Sequence, residues 1–421
     1  MDRTRKLLII NKPYLEEHDN TVRLCAKIEY DGTSKVMFFE VDCKWKNYLC
    51  TENIDAFVSG LLYFAICNGY DIRSEATINY RLHYQIVNYV IPVLHSIDNE
   101  EYHDIQLNTG IDHLKFDNEK AVGTAVSGGV DSFYSVVKHT CDVQDEYRLT
   151  HLLVANLFNI YESENQTRDK FSKLTMQSKA IGDEMGLEVI SVYTNHHEFM
   201  YNHFVSLYSY RLCSYVFALQ KLFGVYYISS GVAIKDTNFY NVDSDDYDIF
   251  NLSMASTDNV IFYSSGGECL RTEKLNFISN NPVVRKHLHV CTYSDEGNCS
   301  TCNKCLRTMM SLDILGKLVD YENCFDIKKY KKNKRYVVRK MFAEKWHLYD
   351  DLIDSAKKYG YKFNNIDKII GKFIYKPGIY IKSLLKKSKK IKRLYFKLKI
   401  DYMLYGKEKA ECFRYGRDDI E

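Results

Sequence analysis

Hydrophobic positions along this chain change their period twice. Up to about residue 118 the pattern mixes alternation with helical spacing. Thr21-Val22-Arg23-Leu24-Cys25-Ala26-Lys27-Ile28 and Lys35-Val36-Met37-Phe38-Phe39-Glu40-Val41 have strand character, with Asp31-Gly32 as the turn between them. Asn53 to Ala65 follows as a helix with Ala56, Phe57, Leu61, Leu62 and Ala65 on its core side, and a second helix is predicted from Asn79 to His95. This reads as a separate N-terminal α+β domain, residues 1–118, in a structural or substrate-covering role.

From 119 the period becomes that of alternating strands and helices. Ala121 to Val126 is a buried strand, followed by a helix with Phe133, Val136 and Val137 on one face. Strands are then predicted over His151–Phe158, Glu188–Tyr193 and Val225–Ser229, separated by helices over Gln166–Met185 and Phe204–Leu222. Strands spaced by helices of this length predict an α/β fold built on a doubly wound parallel sheet, residues 119–325. Such sheets bind ligands at the carboxyl ends of their strands, here Ser127–Ser132, Asn159, Thr194-Asn195 and Ser230-Gly231. Beyond Phe325 the pattern degrades into a basic, mostly helical C-terminal region, 326–421.

Charge sharpens that last boundary. The formal net charge is only +2. Between Ile327 and Lys409, however, 26 Lys and Arg face 7 Asp and Glu, leaving the remainder of the chain near −17. Lysines interleaved with Leu, Ile, Tyr and Phe, densest over Lys382–Phe396, suit an anionic partner, either a nucleic acid or a membrane surface. A solvated helical face is the plainer reading of any one run. Leu7-Leu8-Ile9-Ile10 is too short for a signal peptide, and the longest apolar run, Phe57 to Cys67, is too short to span a bilayer, so a cytoplasmic location is expected. The 13 cysteines are then free thiols or metal ligands.

Two stretches carry chemistry. Ser127-Gly128-Gly129-Val130-Asp131-Ser132 lies between a strand and a helix start, where backbone N–H groups and the positive helix end converge. Its glycines admit close approach, and the flanking hydroxyls add donors. This is a cradle for an anion, and a pyrophosphate fits it best. The competing reading is a glycine turn with Asp131 as an ordinary N-cap. The second stretch is Cys291, Cys299, Cys302 and Cys305, spaced C-x7-C-x2-C-x2-C, which suits a tetrahedral, structural Zn2+ site. Lys304 and Arg307 can offset its thiolate charge. An iron–sulfur cluster is the rival, but Met309 and Met310 stand where a ferredoxin run has its next cysteine and proline. His287 and His289 alternate with Cys291 as strand residues, and His196-His197 read as a polar loop.

The Ser-Gly-Gly-x-Asp-Ser loop resembles the PP-loop of the N-type ATP pyrophosphatases. With the four-cysteine knuckle some 160 residues later, it is similar to their QueC-like (7-cyano-7-deazaguanine synthase-like) branch. Ser230-Gly231, Gly267 and Arg271-Thr272-Glu273-Lys274 add to the resemblance, which covers about 121–316. Asn298 to Thr308 looks closest to larger members of unassigned substrate. The resemblance implies an adenine nucleotide alpha hydrolase-like fold and a carbon–nitrogen ligase. ATP would adenylate a carboxylate or carbonyl, releasing pyrophosphate, and ammonia or an amine would displace AMP. Residues 127–132 would hold the β,γ-pyrophosphate with Mg2+ positioned by Asp131, and Arg271 and Lys274 would stabilise the charge that builds on the phosphates. The Gly-Tyr-Pro-Asp-Cys-like stretch that holds the deazaguanine base is absent, since Lys235 to Asp248 is rich in Asp, Asn and Tyr. A small-molecule carboxylate of another kind is therefore expected, and a homodimer is left open. The alternative is a QueC-like defence or regulatory component holding DNA or RNA through residues 327–409.

Overall fold

The computed structural model describes residues 6–141, 143–156, 164–199, 208–239, 247–294 and 296–376. It divides into two compact units, one of residues 1–290 with 295–297 and one of 291–294 with 298–421. Among the described residues, eleven strands of the first unit join in one sheet. In chain order they are β1 (Lys6–Ile10), β2 (Tyr14–His18), β3 (Thr21–Tyr30), β4 (Thr33–Asp42), β5 (Tyr70–Asn79), β6 (Leu107–Asp112), β7 (Ala121–Ala125), β8 (His151–Ala155), β9 (Glu188–Thr194), β10 (Phe223–Ser229) and β11 (Ile261–Ser265). Their order in space is β11-β10-β7-β8-β9-β4-β3-β1-β5-β6, with β2 beside β3.

The helices are α1 (Asp55–Asn68), α2 (Tyr80–Gln85), α3 (Ile91–Ile97), α4 (Val130–Thr140), α5 (Glu164–Met185), α6 (Tyr208–Ala218), α7 (Asp248–Ala255), α8 (Arg271–Ile278) and α9 (Pro282–His287). A π turn, Ile86–Val90, joins α2 to α3, so the helix expected from Asn79 is one run to Ile97. Asn79 starts it by accepting from the Arg81 and Leu82 N–H groups.

From β7 to β11 the strands pair in parallel. The chain runs from β7 through β8 to β9 on one side, then returns to lay β10 and β11 on the other. This is an α/β arrangement compatible with a doubly wound fold, and its order reverses between β7 and β10. Alternation divides the two faces. Leu153, Ala155, Ile190 and Val192 join a core with α1 and α6. The intervening Leu152 and Val154 are buried on the opposite face, where α5 packs against β8 and β9.

The boundary expected at 118 is not a break in the sheet. β4 pairs antiparallel with β9 through Phe39 with Thr194 and Glu40 with Tyr193. Asn195 extends the pairing, accepting from the Phe38 N–H at 3.0 Å and donating to the Val36 carbonyl at 2.8 Å. Its amide acts as one more peptide group, so Asn195 joins two parts of the sheet. Glu40 adds an ion pair to Arg23 at 2.7 Å and one to Arg168 at 3.2 Å. Turn chemistry was as expected: Asp31 and Gly32 have φ of 46° and 71°, and Tyr30 pairs with Thr33.

Two local expectations fail. His287 and His289 are not strand residues, because Asn281 caps and Pro282 opens α9, which runs through His287 and is followed by irregular chain at His289. His196 is not in a polar loop. It is buried in a 3-10 turn with Nε2 against the Gly60 carbonyl, and burial pushes its pKa down to about 3.

In the second unit, α10 (Asn303–Ile314), α11 (Ile327–Ala343), α12 (His347–Lys358) and α13 (Asn365–Ile370) pack together, and a π turn, Gly371–Tyr375, continues α13. The boundary expected at 325 falls inside this unit, because Tyr330 of α11 donates to Asp313 of α10 at 2.7 Å. No helix among the described residues is long and apolar enough to cross a membrane. Residues 377–421, including Lys382–Phe396, lie outside the described residues.

Asp55 gives the fold a pH dependence. It opens α1 fully buried, accepting from the Asn79 N–H at 2.8 Å. Burial, with a smaller push from Asp112, raises its pKa from 3.8 to about 7 against the pull of that N–H. The folded chain therefore holds a proton that the unfolded chain releases near pH 4. This contribution to stability is present at low pH and falls as pH rises toward 7, by up to about 1.4 kcal/mol per unit. Urea unfolding of Asp55→Asn should lack that slope, so its stability relative to wild type rises from pH 4 to 7. Parallel curves for the two proteins would refute the assignment.

Candidate functional site

The loop after β7 is built by its own small residues. Gly128 has φ +74°, a left-handed conformation that side chains rarely adopt. A Cβ there would also come 3.4 Å from the His287 carbonyl. The Gly128 carbonyl accepts from the His289 N–H at 2.8 Å. Ser132 Oγ lies 3.1 Å from Ser127 Oγ, accepts from the Ser127 N–H at 3.3 Å and donates to the Gly129 carbonyl at 3.1 Å. The Gly129 N–H reaches Ser127 Oγ at 3.4 Å. The hydroxyls expected to face a ligand thus also fold the loop on itself. Gly129 precedes α4 and provides no side-chain cap, while Val130 turns into the core. The first turn of α4 therefore opens with its positive end uncapped by a side chain.

The second half of the site comes from the segment after β11. Gly266 has φ +93°, and a Cβ on it would stand 3.0 Å from Lys274 Cε. Glu273 then starts α8 by accepting from the Leu270 N–H at 3.0 Å. Arg271 and Lys274, three apart on one face of α8, both reach Asp131 in the first turn of α4. Arg271 Nη1 donates to Asp131 Oδ2, and Lys274 Nζ lies 3.2 Å from Oδ1. Lys274 Nζ also donates to the Ser230 carbonyl at 2.6 Å, and the residue is 1% exposed. Ser230 is itself fixed by its N–H to the Ser265 carbonyl, and Gly231 beside it is exposed. Burial raises the Asp131 pKa, but the guanidinium and ammonium outweigh it and hold the carboxyl below its ordinary range.

These groups meet at the carboxyl ends of β7 and β10, where the strand order reverses. Ser127–Ser132, Ser230, Gly231, Arg271 and Lys274 are thereby brought to one edge. Thr194 and Asn195 stand at the carboxyl end of β9, where they also form the β4 junction, and Asn159 lies outside the described residues. Two cations against one carboxylate leave the cluster with a net positive charge, beside a helix N-terminus. That arrangement attracts an anion.

Sequence reasoning missed a neighbouring cluster. Tyr134 of α4 donates to Glu268 at 2.8 Å, and Lys138 pairs with the same carboxylate. Burial opposes ionisation of Glu268, yet these partners and its backbone contacts hold its pKa at about 2. Asp131, Tyr134 and Lys138 fall at i, i+3 and i+7, so one helix face carries both clusters. That spacing was visible in the sequence; the Glu268 partner was not.

In the second unit, Cys291, Cys299, Cys302 and Cys305 place their sulfurs within 4.8 Å of one another. Cys299 and Cys305 are 3.9 Å apart. A tetrahedron with sulfurs about 2.3 Å from its centre has edges of about 3.8 Å. The site can therefore hold a single metal ion such as zinc. Backbone N–H groups of Tyr293, Cys302 and Cys305 point at Cys291, Cys299 and Cys302 sulfurs at 3.3–3.4 Å, as thiolates require. Ser300, at φ +62°, makes the turn, and its hydroxyl accepts from the Asp326 N–H at 2.9 Å. Arg307 lies over the Trp346 ring at 4.5 Å.

Comparison with protein-family models, curated proteins and solved structures gives no match. The site is therefore read from its own geometry.

Elemental analysis of the purified full chain should return one metal ion per chain. Cobalt substitution should give the visible bands of a tetrahedral tetrathiolate, and Cys302→Ser should remove them. Absence of metal in both preparations would count against a metal site.

Proposed function

We propose that the edge formed by Ser127–Ser132, Ser230, Arg271 and Lys274 binds ATP by its β,γ-pyrophosphate, and that the chain is a QueC-like ATP pyrophosphatase of the PP-loop type. The observation that carries this reading is the meeting of Arg271, Lys274 and Asp131 at the mouth of the glycine loop. A merely structural lysine has no need of a second cation and an uncapped helix start beside it. The reading makes the protein a carbon–nitrogen ligase.

In that reaction a carboxylate oxygen of the substrate attacks the α-phosphorus and the bond to the β-phosphate bridging oxygen breaks. Pyrophosphate leaves with the bonding electrons, and an acyl-adenylate remains. Ammonia or an amine then attacks the acyl carbon, AMP leaves, and nitrogen gives up a proton. Arg271 and Lys274 stabilise negative charge as it grows on the departing pyrophosphate. Asp131 acts as a positioning residue, holding the two cations at the loop. Its two oxygens each accept from one of these cations, and no step is assigned to the Mg2+ that Asp131 was expected to help position. In the second unit, zinc is the ion we assign to the four thiolates. Their spacing suits one ion, and with four protein ligands the site is structural.

Arg271→Ala tests the nucleotide reading. Lys274 still pairs Asp131 in that variant, so the fold should hold. Losing one charge-assisted contact should weaken ATP binding about tenfold to a hundredfold, read by calorimetry. In a screen of carboxylate substrates with ammonia, turnover should release AMP and pyrophosphate. Unchanged ATP affinity in the variant, or ADP and phosphate as products, would sink the proposal.

A further inference from the structure

The end of the described chain has a helix turned inside out. Over 365–376, Asp367 and Gly371 face α11. Asp367 is 2% exposed and accepts from Arg335 and Arg339, the latter at 2.7 Å. A Cβ on Gly371 would meet the Arg339 carbonyl at 2.5 Å. These two contacts fix which face points outward. That face carries Ile366, Ile369, Phe373 and Ile374, each 57–72% exposed. Four large apolar side chains at positions i, i+3, i+7 and i+8 form a stripe that a solvated helix has no reason to keep.

The surroundings of the stripe indicate what covers it. Lys368 and Lys372 lie along its flank, their ammonium groups about 6 Å from the Phe342 ring. From Lys368 to Lys399 the sequence holds twelve Lys and Arg and no Asp or Glu. A second copy of the chain would bring the same positive charge against it. Nucleic acid would satisfy the lysines but leave three isoleucines in water. An anionic bilayer satisfies both, with acyl chains for the stripe and phosphate headgroups for the cations.

We infer that residues 365–376 are a membrane-surface anchor. Ile366, Ile369, Phe373 and Ile374 enter the headgroup–acyl boundary of an anionic membrane, and Lys368, Lys372 and Lys376 bind its phosphates. The helix lies on the surface and does not cross it. The inference is independent of the nucleotide reading, since it uses none of the same residues.

The test is flotation of the full-length protein with vesicles of phosphatidylcholine alone or mixed with phosphatidylglycerol. Wild type should float with the mixed vesicles only, and less at high salt. Ile369→Ser and Phe373→Ser, both on exposed side chains, should each weaken partitioning about tenfold at unchanged thermal stability. No flotation with mixed vesicles would overturn the proposal, and so would flotation that ignores both substitutions. A dimer in light scattering that Phe373→Ser dissolves, or duplex DNA binding that it abolishes while vesicle binding persists, would assign the stripe to another occupant and also overturn it.

Discussion

An ammonium group buried at the end of a β-strand is costly unless it is paired, and the first unit is arranged around meeting that requirement. Lys274 is almost wholly removed from water, so its charge must find fixed acceptors. One is the Ser230 carbonyl at the end of β10 and the other is Asp131 at the start of α4. Gly266 has no side chain because the lysine occupies that space. The parallel sheet supplies the frame: β10 and β7 are adjacent only because the chain crosses back after β9. Residues about 140 apart in sequence are thereby held within hydrogen-bonding distance, and Arg271 is carried to the same carboxylate by the helix that carries Lys274.

How much of this could be read from sequence depended on how local the cause was. The strand, loop and helix around 121–140 were legible because small residues, an apolar run and a helical face signal themselves within twenty residues. The cysteine spacing was legible for the same reason. Arg271 and Lys274 were visible as candidates, but nothing local states which carboxylate they meet. The β4–β9 junction was invisible. It rests on two backbone pairs, the Asn195 amide and Glu40, and an amide that imitates a peptide group has no sequence signature. The strand assigned through His287 failed because alternation over three residues is weaker than the Asn-Pro helix start just before it.

The same limit governs charge. Asp55, Asp131 and Asp367 all stand in the first turn of a helix, where any carboxylate complements the dipole. Their surroundings make them different acids. Burial acts on all three in the same direction, against ionisation. Asp131 meets Arg271 and Lys274, Asp367 meets Arg339 and Arg335, and both end below the ordinary carboxylate range. Asp55 meets a backbone N–H and the repulsion of Asp112, and it ends near 7.

That contrast bears on what the cation pair at the loop can do. A carboxylate neutralised by two cations is a poor general base, because those cations stabilise its charged form and lower its affinity for a proton. Asp131 is therefore unsuited to proton transfer at neutral pH and suited to holding Arg271 and Lys274 against each other's repulsion before any ligand arrives. Under the proposed nucleotide reading, an incoming phosphate would meet donors already in position, and little reorganisation would be needed when negative charge develops. Chemistry that depends on proton abstraction would need a partner elsewhere. Stabilising a departing anion, as the proposed reaction requires, is the chemistry to which this pair of cations is better suited.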